Sequence, residues 1–226
     1  MPVRATRIIA FDVNETLLDL AALDPLFTEA FGSASVRAQW FGQMLQLAFT
    51  GGLAGSYVDF SSAQEAALTM MAEIHGAELT TATRDSVRET MRSLPAHPEV
   101  DGALAALRAS PSALVALTNS PLDVAGAQLT NAGLAHHFDA ILSADTVQAL
   151  KPARAAYELV ARSCDVPLDE VRLVAAHAWD VSGALAAGCA AAFVARAGKV
   201  PSPLGLQPDV VGRDLADVAD MLLAAG

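Results

Sequence analysis

Short apolar runs recur along the chain at long intervals. Residues 7–13 (RIIAFDV) form the first, and 113–117 (ALVAL), 139–143 (DAILS), 171–176 (VRLVAA) and 190–195 (AAAFVA) follow much later. Such runs are too short for helices, and the first is rich in β-branched and aromatic residues. They predict strands buried on both faces. Helical patterns at 100–110, 121–134, 153–165 and 179–189 separate the later runs. Strands alternating with helices predict βαβ units, a parallel sheet and right-handed crossovers.

Residues 20–95 break this alternation. Apolar positions there recur at helical spacing, as in 40–49 (WFGQMLQLAF) and 61–74 (SSAQEAALTMMAEI). Ser61 or Ser62, followed by Gln64 or Glu65, predicts a helix start. Gly51-Gly52 and Gly76 predict helix ends, and Pro95 and Pro98 mark the return to the sheet. The expected architecture is α/β. A Rossmann-like parallel-sheet core takes residues 1–19 and 96–226, and an inserted α-helical cap takes residues 20–95.

Composition narrows the function classes. Apolar residues make up 53% of the 226 and charged residues 17%, ample for a packed core. No apolar stretch approaches the ~20 residues a membrane span needs. The opening residues MPVRATRIIA lack the apolar region of a signal peptide. A cytoplasmic protein is the expectation. Fourteen Lys and Arg against 25 Asp and Glu give a formal net charge of −11. That surface repels nucleic acid and anionic membranes, so an anionic small-molecule substrate must meet a local positive site. Cys164 and Cys189 make no disulfide framework. Neither has a basic sequence neighbourhood, so both read as ordinary thiols.

Chemistry gathers where the strands end. Ligands of an open parallel sheet bind outside the carboxyl ends of its strands. There the chain places Asp12, Asn14 and Thr16 after the first run, and Thr118-Asn119-Ser120 after the second. Lys151-Pro152 follows the third, and His177-Ala178-Trp179-Asp180 follows the fourth. Each residue alone is an ordinary cap, turn or surface residue. Together, in this order, FDVNETLLD (11–19), LTNS (117–120), LKP (150–152) and AWDVSGA (178–184) resemble the four motifs of the haloacid dehalogenase superfamily. The resemblance covers nearly the whole chain, the helical insertion included.

The branch follows from what the motifs contain. Phosphatases of the superfamily carry a second Asp where this chain has Asn14, which cannot exchange a proton as a carboxyl does. They also carry a magnesium-binding acid where this chain has Ala176. The metal-free L-2-haloacid dehalogenases are a better match, in AWD (178–180), in the spacing from Lys151 to Tyr157, and in YVDF (57–60). What this resemblance implies is a nucleophilic Asp12 that attacks the α-carbon of a 2-haloacid, expels halide and becomes an ester, which water then hydrolyses. Thr16 would position Asp12. Thr118 and Asn119 would bind carboxylate or halide, and Lys151 would offset charge and suit a carboxylate substrate. Tyr157 would border the site and Asp180 would orient or activate water. The resemblance implies no metal or other cofactor, and it extends to a homodimer packed through the cap.

Four positions depart from that branch, one being Asn14, where the dehalogenases have an aromatic residue two after the nucleophile. Phe41 stands where the dehalogenases have an Arg after the cap Trp, here Trp40. Arg37, one helical turn earlier, would reach the same region if the cap rotates. Ala175 and His177 replace a Ser and an Asn. His177, three residues before Asp180, is expected to serve ester hydrolysis as base or water orienter. His75, His97, His136 and His137 are assigned no chemistry and lack zinc-site spacing. Three functions stay open at this level: hydrolytic dehalogenation through Asp12, a divergent Mg²⁺-dependent phosphatase using Asp12, Asn14 and Asp180, and a degenerate carboxylate-binding member.

Overall fold

The structure, a computed structural model, describes residues 3–225. Six strands are present among them: β1 (Ile8–Phe11), β2 (Ala113–Thr118), β3 (Ala140–Ser143), β4 (Val171–Ala175), β5 (Ala190–Val194) and β6 (Val210–Gly212). They form one parallel sheet in the order β3-β2-β1-β4-β5-β6. β1 lies between β2 and β4, with Phe11 opposite both Ala116 and Val174. The carboxyl ends of these three strands therefore share one rim. Along β1 the two-residue period divides the side chains between two cores. Ile8 and Ala10 join Leu117, Tyr157, Leu173 and Phe193. Ile9 and Phe11 join Leu104, Leu114 and Val174 on the other face. The expected burial on both faces holds for β1, β4 and β5 but not for the edge strand β3, where Ala140–Leu142 are only half-buried.

The core helices are α5 (Val100–Arg108), α6 (Leu122–Asn131), α7 (Arg154–Ser163), α8 (Ala178–Ala187) and α9 (Leu215–Ala225). β6 and α9 went unread in the sequence. β6 is three residues long behind a Pro/Gly loop, and Val211 on it is exposed, so it offers no alternating pattern.

Between β1 and α5 stand a 3-10 turn (Leu20–Leu23) and α1 (Asp24–Phe31), α2 (Val36–Leu53), α3 (Phe60–His75) and α4 (Thr81–Arg92). The chain leaves and returns through adjacent segments. The Asp19 N–H donates to the Pro95 carbonyl at 2.8 Å and the His97 N–H to the Leu17 carbonyl at 3.0 Å. Trp40, Phe41, Met44 and Phe60 from these helices share one apolar cluster with Phe11, Val13 and Leu17 from the sheet rim.

Two boundaries differ from the sequence expectation. α3 starts at Phe60 and not at the serines, because the Asp59 carboxylate accepts from the Ser62 N–H at 2.9 Å and supplies the cap. Gly51 and Gly52 lie inside the last turn of α2. Gly51 is there for close approach: a Cβ on it would sit 2.7 Å from the Ser56 carbonyl oxygen. Gly76 does end α3, at φ +63°. Among the described residues no helix is long and apolar enough to cross a membrane.

Candidate active site

Asp12 follows β1 directly and is buried at the rim. Its N–H donates to the Val174 carbonyl at 3.0 Å, continuing the ladder with β4. The backbone then curls, with the N–H groups of Leu17 and Leu18 both reaching the Val13 carbonyl. That turn brings Thr16 back beneath the carboxylate. The Thr16 hydroxyl donates to Asp12 Oδ2 at 2.6 Å and accepts from the Ala176 N–H at 2.9 Å. One hydroxyl thus fixes the carboxylate against the end of β4.

Lys151 comes from the loop after β3 and is fully buried. The loop is tied to the β2 end by a reciprocal pair. Asn119 Nδ2 donates to the Lys151 carbonyl at 3.1 Å, and the Lys151 N–H donates to Asn119 Oδ1 at 2.7 Å. The ammonium donates to Asp12 Oδ1 at 2.8 Å, Asp180 Oδ2 at 2.6 Å and the Leu117 carbonyl at 3.0 Å. All three of its donors are occupied. Lys151 therefore bridges two carboxylates and holds no free donor for a substrate in this state. Tyr157 on α7 donates to Asp180 Oδ1 at 2.6 Å. Both Asp180 oxygens are thereby engaged, and Asp180 lies behind Lys151.

α8 can come this close because residue 183 has no side chain. A Cβ on Gly183 would lie 2.5 Å from Pro152 Cβ and 2.6 Å from Tyr157 Oη. Gly183 is part of how the loop carrying Lys151 and the helix carrying Asp180 meet.

His177 caps the start of α8 and bonds on both sides of its ring. Nδ1 lies 3.0 Å from Asp12 Oδ2, and Nε2 lies 2.9 Å from Glu15 Oε2. The ring stacks against Phe41 (centroids 5.7 Å apart, planes at 15°) and Trp179 (5.2 Å, 28°). Burial opposes the imidazolium, but hydrogen bonds to Asp12 and Glu15, with their charges, outweigh it and push His177 up to about 9. The flanking aromatic rings also favour a cation. Burial likewise opposes the Asp12 carboxylate, yet Lys151 and His177 hold it well below the usual carboxylate range. Asp180 is pushed up by burial, which Lys151 opposes and the Asp12 charge reinforces. At neutral pH Asp12 is thus an anion gripped by two cations and a hydroxyl, and His177 is protonated and so no base in this state.

A small cavity opens onto Asp12. Asn14, Phe41, Phe60, Thr118, Asn119, Lys151, His177 and Trp179 also line it. Its volume is about 10 Å³, room for a single water. Asp180 and Tyr157 do not line it. The Asn14 amide is anchored in both directions, donating to Ser120 Oγ at 3.3 Å and accepting from Gln128 Nε2 at 3.0 Å. The Thr118 hydroxyl accepts from the Ser120 N–H at 3.1 Å, which leaves its own proton for a ligand. The Trp179 indole N–H is buried without an acceptor. Arg37 does not reach the cavity. It pairs with Asp24 at 2.5 Å and lies 3.8 Å from Glu15, outside the cavity lining.

These residues do not fit a divalent cation. Lys151 already sits between the two carboxylates such an ion would have to bridge, and Ala176 brings no oxygen ligand in its side chain. Elsewhere, exposed Asp101 and His136 and buried His137 bring ligand atoms within 4.8 Å of one another, and there His137 Nε2 lies 2.8 Å from Asp101 Oδ1.

Comparison with known proteins gives the chain a family. The sequence profile of the haloacid dehalogenase-like hydrolases matches residues 6–188. The chain belongs to this family. It is 30% identical to (S)-2-haloacid dehalogenase 2 of Pseudomonas sp. (strain CBS-3) over 216 residues, 95% of this chain and 94% of that one. It is 30% identical to haloacetate dehalogenase H-2 of Moraxella sp. (strain B) over 203 residues, 89% and 91% of the two chains. Its fold superposes with a TM-score of 0.90 on L-2-haloacid dehalogenase from Xanthobacter autotrophicus with chloropropionic acid covalently bound. That match is 25% identical and covers 98% of this chain and 100% of the other.

The structure brings Asp12, Thr16, Lys151, Tyr157, Asp180 and His177 into one bonded network, and puts Asn14, Phe41, Thr118 and Asn119 on the cavity wall. Sequence reasoning missed Glu15, Lys199 and the orphaned indole of Trp179. Lys199 Nζ donates to Glu15 Oε2 at 2.6 Å from a position 184 residues away, so no local pattern announces it. Glu15 gave no local signal either, since its left-handed φ of +61° is a property of the folded chain.

Proposed function

We propose that this chain is a hydrolytic dehalogenase of small 2-haloacids, acting through an ester on Asp12 under a helical cap of residues 20–95. The observation that carries the reading is an Asp12 carboxylate held ionised by Lys151 and His177, at the floor of a cavity walled by Phe41, Phe60 and Trp179. An Asp12 oxygen attacks the α-carbon, the carbon–halogen bond breaks and halide leaves. Water then attacks the aspartyl carbonyl carbon, the acyl–oxygen bond breaks, and the 2-hydroxyacid departs with an oxygen that belonged to Asp12. Thr118 and Asn119 hold the substrate carboxylate. The unpaired indole N–H of Trp179 meets the halide or a carboxylate oxygen. Lys151 keeps Asp12 ionised, with Asp180 and Tyr157 orienting the ammonium from behind. Phe41 carries no charge of its own but stacks on His177, so positive charge reaches the cavity wall from α8 and not from the cap. A cavity with room for one water admits no haloacid as it stands, so the cap must open to admit the substrate. We place this work in the cytoplasm, and exposed Leu53, Met70 and Ile74 on the cap helices support pairing of two copies.

Halide release from 2-chloropropionate and fluoroacetate, with and without EDTA, tests the proposal beside a generic phosphate ester with Mg²⁺. Halide release unaffected by EDTA and abolished in Asp12→Asn is expected. Metal-dependent phosphate release with no halide would overturn it.

A further inference from the structure

Glu15 is placed at a backbone cost. Its φ of +61° lies where residues with a Cβ are uncommon, and such strain persists where its surroundings enforce it. Three cationic side chains converge on its carboxylate. Oε2 lies 2.9 Å from His177 Nε2 and 2.6 Å from Lys199 Nζ, and Oε1 lies 3.8 Å from the Arg37 guanidinium. On the far side of the same imidazole, Nδ1 faces Asp12 at 3.0 Å. Acid, imidazole and nucleophile form one chain, and the imidazole is part of the cavity wall. Asp180, the other candidate for activating water, is sealed from the cavity with both oxygens engaged.

We propose that Glu15 is a positioning residue that holds His177 with Nε2–H turned outward, so that Nδ1 is the general base for hydrolysis of the Asp12 ester. The inference rests on the ester reading above. Its logic is that of a base oriented by an acid on its far nitrogen. In the resting protein His177 is protonated and cannot act as a base. Alkylation of Asp12 removes the charge that faces Nδ1, and the Nδ1 proton then passes to solvent as halide leaves. Nε2–H stays bonded to Glu15, which fixes the tautomer. Water next gives a proton to Nδ1 as its oxygen bonds to the aspartyl carbon. The acyl–oxygen bond breaks, and the imidazolium protonates the leaving 2-oxygen of the product. The carboxylic acid left on Asp12 returns its proton to His177 and restores the ion pair. One halide, one proton and one hydroxyacid leave per water consumed.

The groups that set this titration come from every side. Asp12 and Glu15 on the β1 turn bond the ring directly. Arg37 on α2 and Lys199 after β5 act through Glu15. Lys151 acts through Asp12, and Asp180 lies three residues on in the same helix. The elevated His177 value agrees with two carboxylates on one imidazole. A purely structural Glu15, tying α2 to the core, would leave the base step untouched.

Rapid-quench turnover of 2-chloropropionate, with mass analysis of the peptide containing Asp12, separates these. Glu15→Gln is expected to keep a burst of one halide per site, accumulate the ester and hydrolyse it at least ~10-fold more slowly, with the acid limb of the kcat profile displaced. His177→Asn should slow hydrolysis by ~10²-fold or more. Glu15→Asp should recover part of the rate. In the substrate-free protein, nitrogen NMR of the imidazole gives an independent measure. Asp12→Asn, which mimics the ester's lost charge, should lower the His177 titration by at least ~1 pH unit. A halide burst in Glu15→Gln followed by hydrolysis at the wild-type rate and pH profile overturns the inference alone. So does an unchanged His177 titration in Asp12→Asn. If wild type forms no Asp12 ester, the dehalogenase reading falls and this inference with it.

Discussion

Replacing Lys151 with Met should destabilise the protein in a way that grows with pH. Met, one atom shorter, keeps most of the apolar stem but removes a buried ammonium that bonds Asp12 at 2.8 Å and Asp180 at 2.6 Å. Deleting one partner of a buried pair costs about 3–5 kcal/mol, because the other charge is left without compensation. Here two carboxylates are stranded together, so the folded variant relieves itself by binding one proton between them. The pair then titrates above its unfolded value near ~3.9, and the stability it retains is present below that value and lost as pH rises through the raised one. Over that window each pH unit widens the deficit by about 1.4 kcal/mol. For a chain of this length the loss corresponds to roughly 6–20 °C in Tm at pH 8, with a smaller gap at pH 5. Thermal unfolding of both proteins at the two pH values measures it. Adding Asp180→Asn to the variant should restore more than half the deficit, since one carboxylate then keeps Thr16 and His177 as partners. A gap that is equal at pH 5 and pH 8, or one that Asp180→Asn leaves unchanged, would refute the idea that Lys151 neutralises both acids.

Three further outcomes follow from other parts of the molecule. His177, raised from 6.5 to about 9, contributes stability that is complete below its unfolded pKa and is lost as pH climbs through the folded one. Wild type should therefore lose on the order of 3 kcal/mol between pH 6.5 and 9.5 in urea titrations, and His177→Asn should flatten that limb. Gly183→Ala forces a methyl against Pro152 and Tyr157, so it should cost ~1–3 kcal/mol and lower kcat by disturbing the Asp180 support. Asp59→Ala removes the cap of α3 and should cost ~0.5–2 kcal/mol, and Asp59→Asn should retain most of it, as read by chemical denaturation.

The central strands could be read from the chain because they are buried on both faces and therefore almost uniformly apolar. β1, β4 and β5 show this plainly. α4 could not, since Val87 and Met91 are its buried apolar positions in an otherwise polar helix held by the Thr80 cap. At the site, Asp12, Thr16, Lys151 and Asp180 were legible because each stands at a strand end, where topology alone brings them together. The function of Asp180 was less legible than its position. Sequence order puts it at the rim, but packing of α8 against Pro152 turns it behind Lys151, away from water. Phe41 and Phe60 close the cavity from helices whose docking angle no local pattern encodes. The Glu15 contact depends on a left-handed turn and on a lysine 184 residues distant, both properties of the folded chain.

The paired backbone segments at Leu17–Asp19 and Pro95–His97 have a consequence for how such a protein diversifies. The segments that carry the chain out to its helical roof and back are hydrogen-bonded to each other. An insertion whose two ends already touch can be lengthened, shortened or exchanged without moving its anchors, because closing the loop adds little entropy for each added residue. The floor that holds Asp12 and the roof that supplies Phe41 and Phe60 can thus drift at different rates. Substrate range becomes a property that recombination at two neighbouring peptide bonds could transplant, leaving the ester chemistry beneath it intact.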